Sequence, residues 1–184
     1  LISSEVIISS AERIENGLEV TSMGIDVARY GDDKTVFTIL KNGNIELIES
    51  YEQTSITEIV TRTIQLIHDY NIDPNYVGID SVGVGAGVVD DLKSAGYDVI
   101  ELQGGSKPEE SQYEEAFLPF NLRSQMYYEL RRDMMNGQIG NLTDETLKLE
   151  LQSIQYEIYS DKKVKVISKE AIKKLLEIGR ASCR

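Results

Sequence analysis

The sequence predicts a mixed α/β domain in which an antiparallel three-strand meander feeds a parallel pair of strands. Helices are expected on both faces of the sheet, with an extra β-hairpin near the C-terminus. Three observations predict this. Met23, Ile25 and Val27 alternate with Gly24 and Asp26, the period-two pattern of a strand with one apolar face. The same apolar-Gly-apolar-Asp phrase returns as Val77-Gly78-Ile79-Asp80. Between the two phrases lie β-prone runs and one amphipathic helix, and a strand–helix–strand unit favours a right-handed crossover and parallel pairing.

Residues 1–20 carry no motif and read as a connector, with Ile7, Ile8 and Leu18 able to pack on a neighbour. The meander follows, with strands at about 21–27, 34–40 and 45–51. Asn42-Gly43 tolerates positive φ and marks a tight hairpin between the second and third. Ile56, Ile59, Val60, Ile64 and Ile67 recur at helical spacing, so 56–70 is a helix, with Thr57 as a weak cap. Residues 71–74 break it and 76–80 returns as a strand. Ser81-Val82-Gly83-Val84-Gly85-Ala86-Gly87 then forms a turn that opens a helix. Its free N–H groups suit an anion, and its glycines equally suit close packing of helix on sheet. No Lys-Ser/Thr follows, so it is not a Walker motif, and its spacing misses the dinucleotide fingerprint.

A short strand is expected at 97–102. Residues 103–121 read as a polar loop, with Gly104-Gly105, Pro108, Pro119 and glutamates at 109, 110, 114 and 115. Helical spacing resumes over 123–135, with Met126, Tyr127, Leu130 and Met134 on one face. Arg123, Arg131 and Arg132 form the densest basic patch, the last two read as a solvated face. Residues 143–153 suggest a helix with Asp144 and Glu145 in its first turn. Strands at 155–159 and 163–167 flank Ser160-Asp161-Lys162 as a hairpin whose tip Lys162, Lys163 and Lys165 make positive. Ser168 caps a short helix over 169–176.

Composition narrows the chemistry. The 184 residues suffice for one well-buried domain. No apolar run approaches the roughly 20 residues that cross a bilayer, and no secretory signal opens the chain, so a cytoplasmic location and no membrane partner are expected. The single cysteine, Cys183, excludes a disulfide framework and a Cys-based zinc site. The single histidine, His68, lies in a helical stretch with no nucleophile motif nearby, which sets aside Ser-His-Asp and Cys-His mechanisms. A net charge of −12 opposes tight, unaided binding of a polyanion.

If the two Gly-Ile-Asp strands pair in parallel, Asp26 and Asp80 emerge at one sheet edge. Carboxylates that close repel unless one is protonated or a cation lies between them. With Asp32 or Asp33 from the following turn they make an all-oxygen site suited to Mg²⁺ or Mn²⁺. Two such ions roughly 4 Å apart serve phosphodiester hydrolysis, a mechanism that needs neither histidine nor cysteine.

Three blocks carry a family resemblance. Gly24-Ile25-Asp26-Val27-Ala28-Arg29-Tyr30-Gly31-Asp32-Asp33-Lys34-Thr35, then Ile79-Asp80-Ser81-Val82-Gly83-Val84-Gly85-Ala86-Gly87-Val88, then Phe120-Asn121-Leu122-Arg123-Ser124-Gln125-Met126-Tyr127-Tyr128 resemble the nuclease domain of large terminase subunits from tailed bacteriophages and prophages. The resemblance covers about residues 20–176. It implies an RNase H-like fold and a metal-dependent endonuclease that cuts concatemeric double-stranded DNA during genome packaging, using two Mg²⁺ or Mn²⁺ ions. By motif, Asp26 and Asp80 are the catalytic metal ligands and Asp32 an accessory acid near the second metal. Arg29, Arg123, Lys162 and Lys163 are the DNA-contact candidates, and the hairpin at 155–167 resembles one that lies close to the active site in the family and limits DNA access. Such domains follow an ATPase motor and work with a portal and a small terminase subunit in the cytoplasm of the bacterial host. On this resemblance residues 1–20 are the remnant of a linker, 21–176 the nuclease domain and 177–184 a non-native, vector-derived tail.

One departure matters. The family continues after this point through a Leu-Gly-Arg-Ser-Pro-Asp phrase whose Asp completes an acidic triad. Here Leu175-Leu176 is followed by Glu177-Ile178-Gly179-Arg180-Ala181-Ser182-Cys183-Arg184. Only Glu177 could stand in, so weak activity is expected. Rival readings are an actin-like or sugar-kinase-type phosphotransferase fragment, a Holliday-junction resolvase-like nuclease and a non-catalytic packaging module.

Overall fold

The structure is a computed structural model and describes residues 1–12, 20–28, 34–109, 118–159 and 162–167. The expected helix over 169–176 and the tail 177–184 lie outside the described residues. The chain begins with a helix that the sequence did not announce, α1 (Ser4–Glu12), while Ile2 and Ile7 are buried. Its run of Val and Ile has weak helix propensity, which tertiary burial overrides. The backbone divides into two compact units. One comprises Ser10–Gly104 with Gly137–Leu142, the other Leu1–Ser9, Gly105–Asn136 and Thr143–Arg184.

The first of these units is built on a five-stranded sheet. β1 (Thr21–Asp26), β2 (Lys34–Lys41) and β3 (Asn44–Glu52) form the antiparallel meander. β4 (Val77–Asp80) pairs with β1 in parallel and β5 (Ile100–Leu102) pairs with β4 in parallel, giving the order β3-β2-β1-β4-β5. The β2–β3 turn places Asn42 at φ 53° and Gly43 at φ 80°, the two positive values that the Asn-Gly pair allows. β5 is shorter than the apolar run from 97 suggested, and Val99, just before it, is buried in the core.

Two helices cover one face of this sheet. α2 (Ile56–Asp69) and α3 (Gly85–Ser94) bring Ile59, Leu66 and Ile67, and Val88, Val89 and Leu92, against Met23, Ile25, Phe37, Ile39, Val77 and Ile79. Each fully buried Ile, Leu or Phe contributes about 1.5–3 kcal/mol relative to exposure. The cap of α2 is Ser55 rather than Thr57. Ser55 Oγ accepts from the Glu58 N–H at 3.3 Å while Glu58 Oε2 accepts from the Ser55 N–H at 2.8 Å, a capping box that the Ser-x-x-Glu spacing encodes. Arg62 on α2 makes a bidentate pair with Glu49 on β3 at 2.7 and 2.8 Å, fastening helix to strand.

The other unit carries a three-stranded sheet, order β6-β8-β7, beside two helices. β6 (Leu118–Pro119) lies inside the stretch read as a loop and pairs in parallel with β8. α4 (Leu122–Met135) is capped by Asn121, whose side chain accepts from the Ser124 N–H. α5 (Glu145–Ser153) has Asp144 as its cap rather than in its first turn. β7 (Tyr156–Ile158) and β8 (Lys163–Val166) form the expected antiparallel hairpin. The buried face of α4 differs from the expected one. Leu122, Ser124, Gln125 and Met134 are buried, with Met126, Tyr127 and Leu130 only half-buried. The polar pair goes inside because each is satisfied: Ser124 Oγ accepts from the Val166 N–H at 3.0 Å, and Gln125 Oε1 from the Glu109 N–H at 2.7 Å.

Candidate metal centre

The register of β1 against β4 decides whether the two aspartates meet. Met23 pairs with Val77, Gly24 with Gly78 and Ile25 with Ile79, so Asp26 and Asp80 are the next positions along two adjacent parallel strands. Neighbouring strands lie about 4.8 Å apart. Met23, Ile25, Val77 and Ile79 are buried on the face that α2 and α3 cover. Alternation therefore puts Asp26 and Asp80 together on the opposite face, where Asp26 is exposed and Asp80 half-buried. On that face the preceding pair is Gly24 and Gly78; the Leu102 side chain lies over Gly78, where a Cβ would come 2.8 Å from its Cδ1, and the face is open at Gly24. A Cβ built at Gly24 meets nothing within 4 Å.

Three local devices hold the strand ends. Asp80 Oδ1 accepts from the Val82 N–H at 3.0 Å, an Asx-type turn that orients the carboxylate. Ser81 ties the end of β4 to β5, its N–H and hydroxyl both donating to Leu102 O at 2.9 and 3.2 Å. Thr35, fully buried, closes the neck of the β1–β2 connection: its hydroxyl donates to Ala28 O at 2.8 Å and accepts from Ala28 N–H at 3.1 Å. The glycine-rich turn serves packing. A Cβ on Gly85 would lie 1.8 Å from Asp80 O, so the start of α3 approaches the end of β4 only because residue 85 lacks a side chain, and Gly83 sits at φ 69°.

No family model matches the chain, and no curated protein matches it. Solved structures do. The nuclease domain of the large terminase subunit gp2 of bacterial virus Sf6 superposes with a TM-score of 0.77 at 17% identity, covering 96% of this chain and 91% of that one. The chain has the large-terminase nuclease fold. A mutant of the Sf6 nuclease domain with manganese and beta-thujaplicinol gives 0.76 at 17% identity, with 95% and 90% covered. The large terminase nuclease from thermophilic phage G20c with bound magnesium gives 0.60 at 20% identity, with 91% and 88% covered. The mixed α/β class expected from the sequence, an antiparallel meander joined to parallel strands, is the observed one, with α2 and α3 on one face of the sheet.

Within this terminase nuclease fold the other expected site residues divide. Arg29, Asp32 and Asp33 lie outside the described residues. Among the described residues no group of three or more His, Cys, Asp or Glu side chains gathers to hold a metal, so the visible donors are the Asp26–Asp80 pair. Two hard carboxylates on an open face still fit Mg²⁺, which takes one or two carboxylates and completes its shell with water and substrate phosphate. Arg123 is half-buried in the first turn of α4, and Lys162 and Lys163 are exposed at the start of β8. Arg131 stacks over Tyr128 at 5.6 Å and Arg132 bonds Asp133 at 3.3 Å, the behaviour of a solvated helix face. His68 is exposed and shares a 2.9 Å hydrogen bond with the Tyr97 hydroxyl. Thr35 and Ser81 were missed by sequence reasoning. No local pattern marks them, because each acts on backbone that only strand pairing brings near.

Proposed function

We propose that the chain is a metal-dependent endonuclease domain that cleaves concatemeric double-stranded DNA during phage genome packaging. The observation that carries this is the register that sets Asp26 beside Asp80 on the sheet face opposite α2 and α3, open at Gly24. The likeness to the Sf6 and G20c nucleases supports it, as does the manganese and magnesium named with them. Asp26 and Asp80 are the catalytic metal ligands and Asp32 the accessory acid. When bound, a pair of Mg²⁺ or Mn²⁺ ions would polarise the scissile phosphate and lower the pKa of the attacking water. The chain's own part is to hold those oxygens still. The Val82 N–H aims the Asp80 carboxylate, and Thr35 anchors the backbone that leaves Asp26. Gly24 leaves room for a phosphodiester beside Asp26. Arg29, Arg123, Lys162 and Lys163 are the proposed DNA contacts. Residues 21–176 are the nuclease domain, and an ATPase motor, a portal and a small terminase subunit in the host cytoplasm are its proposed partners.

Plasmid nicking in Mn²⁺ tests the reading. The wild-type chain nicks at high protein concentration, while Asp26→Asn and Asp80→Asn lose at least about 100-fold. Retained nicking in both variants, or nicking equally fast in EDTA, sinks it. Stabilisation by ATP rather than by Mn²⁺ would move the reading to a phosphotransferase.

A further inference from the structure

The three-stranded sheet has two faces of different chemistry. Val164 and Val166 of β8 and Pro119 of β6 are buried. Lys163 and Lys165 alternate onto the other face, in register with Leu118 and Glu157. There Phe120 and Tyr159 meet from opposite sides of β8, ring centroids 5.1 Å apart and planes tilted by 31°. Lys165 Nζ stands 4.8 Å from the first ring centroid and 5.9 Å from the second. Phe120 and Tyr159 are 40% and 39% exposed and Leu118 is 44% exposed, so large apolar groups face solvent beside lysines.

Lys163 and Lys165 share this face in a chain whose net charge is −12, Lys162 precedes them at the start of β8, and among the described residues Glu157 is the acid in register with Lys165. The complement of this surface is an anion that also offers flat apolar rings. An acidic peptide would answer the lysines and leave the rings wet. Duplex DNA keeps its bases stacked away from any side chain that lies along its backbone. An unpaired strand offers both a phosphate at each step and a base face to stack.

We propose that this face binds single-stranded nucleic acid, Phe120 and Tyr159 stacking unpaired bases while Lys162, Lys163 and Lys165 meet the phosphates. The proposal gives Lys162 and Lys163, DNA-contact candidates of the nuclease reading, an unpaired strand as ligand, and it does not rest on that reading, since stacking and charge act whether or not the chain cuts.

Fluorescence anisotropy of labelled oligothymidylate of about 15 nucleotides tests it, on the full chain, in EDTA and low salt to expose a weak electrostatic site. The expected result is tighter binding of the single strand than of a duplex of equal length. Phe120→Leu and Tyr159→Leu each weaken single-strand binding about tenfold, while Tyr159→Phe keeps it. Lys165→Gln lowers the salt slope by about one without abolishing the preference. An oligoribonucleotide and an oligodeoxynucleotide binding alike would identify base and phosphate as the recognised groups, and a difference between them would name the source. Thermal melting of each variant reports folding, and Tyr159→Leu stands in if Phe120→Leu unfolds. Equal affinity for duplex and single strand, unchanged binding in both Leu variants, or displacement of the oligonucleotide by polyglutamate as effectively as by unlabelled strand would overturn the proposal. None of these outcomes depends on Asp26 or Asp80, so failure here and failure of the nuclease reading are separable.

Discussion

Gly85→Ala is the substitution that best isolates how the fold aims Asp80. In most helices this change adds about 1 kcal/mol of stability, since glycine is a poor helix former. Here the new Cβ would fall 1.8 Å from Asp80 O and 2.8 Å from Asp80 C, and both are backbone atoms that cannot swing aside. The end of β4 and the start of α3 must separate by roughly 1 Å, an overpacking that costs about 1–3 kcal/mol. The Asp80 carboxylate moves with its backbone, and a misplacement of about 1 Å costs on the order of 100-fold in rate. Gly87→Ala is the control. It lies in the same helix and meets only the Ile56 Cδ1 methyl at 3.2 Å, the free end of a side chain. The assay is Mn²⁺-dependent plasmid nicking beside thermal melting. Gly85→Ala should melt lower and lose about 100-fold in nicking, while Gly87→Ala changes stability by at most about 1 kcal/mol and keeps its nicking rate. A Gly85→Ala protein that cuts as fast as wild type would show that the position of Asp80 does not govern the chemistry.

Thr35→Val keeps shape and removes both bonds to Ala28, leaving its half-buried N–H and C=O without these partners at a cost of about 1 kcal/mol. It should also raise the Mn²⁺ concentration for half-maximal nicking about tenfold, with Thr35→Ser restoring it; an unchanged metal requirement would leave Thr35 a purely structural clamp. The Glu49–Arg62 pair sets a pH dependence. Hydrogen bonds from Arg62 hold the Glu49 carboxyl below its ordinary value, against the opposing pull of burial, with the Arg62 charge and a bond to Tyr51 adding to the lowering. Its stabilisation is therefore complete above the ordinary carboxylate value of about 4.3 and fades as pH falls through the lower folded value. Glu49→Gln should melt about 2–4 °C below wild type at pH 7, and that gap should close in strong acid. A gap that widens in acid would reverse the assigned sign.

The alternating runs, the Asn42-Gly43 turn and the twice-used apolar-Gly-apolar-Asp phrase announced the meander and the parallel pairing of the two Gly-Ile-Asp strands from the sequence alone. Those signals are local, and each follows from a period of two or from a residue that tolerates positive φ. The parallel partnership of β1 and β4 was legible because a helix of 14 residues between strands leaves few other connections. Tertiary structure decided the rest. It made α1 from a segment without helical signals, drew Ser124 and Gln125 inward where partners were waiting, and turned two loop residues into β6. It also assigned the glycine-rich turn to close packing, through the approach of Gly85 to Asp80, and brought Thr35 against Ala28. Such contacts join atoms whose nearness depends on the whole chain having folded, and a pattern read along the sequence carries no distance between them.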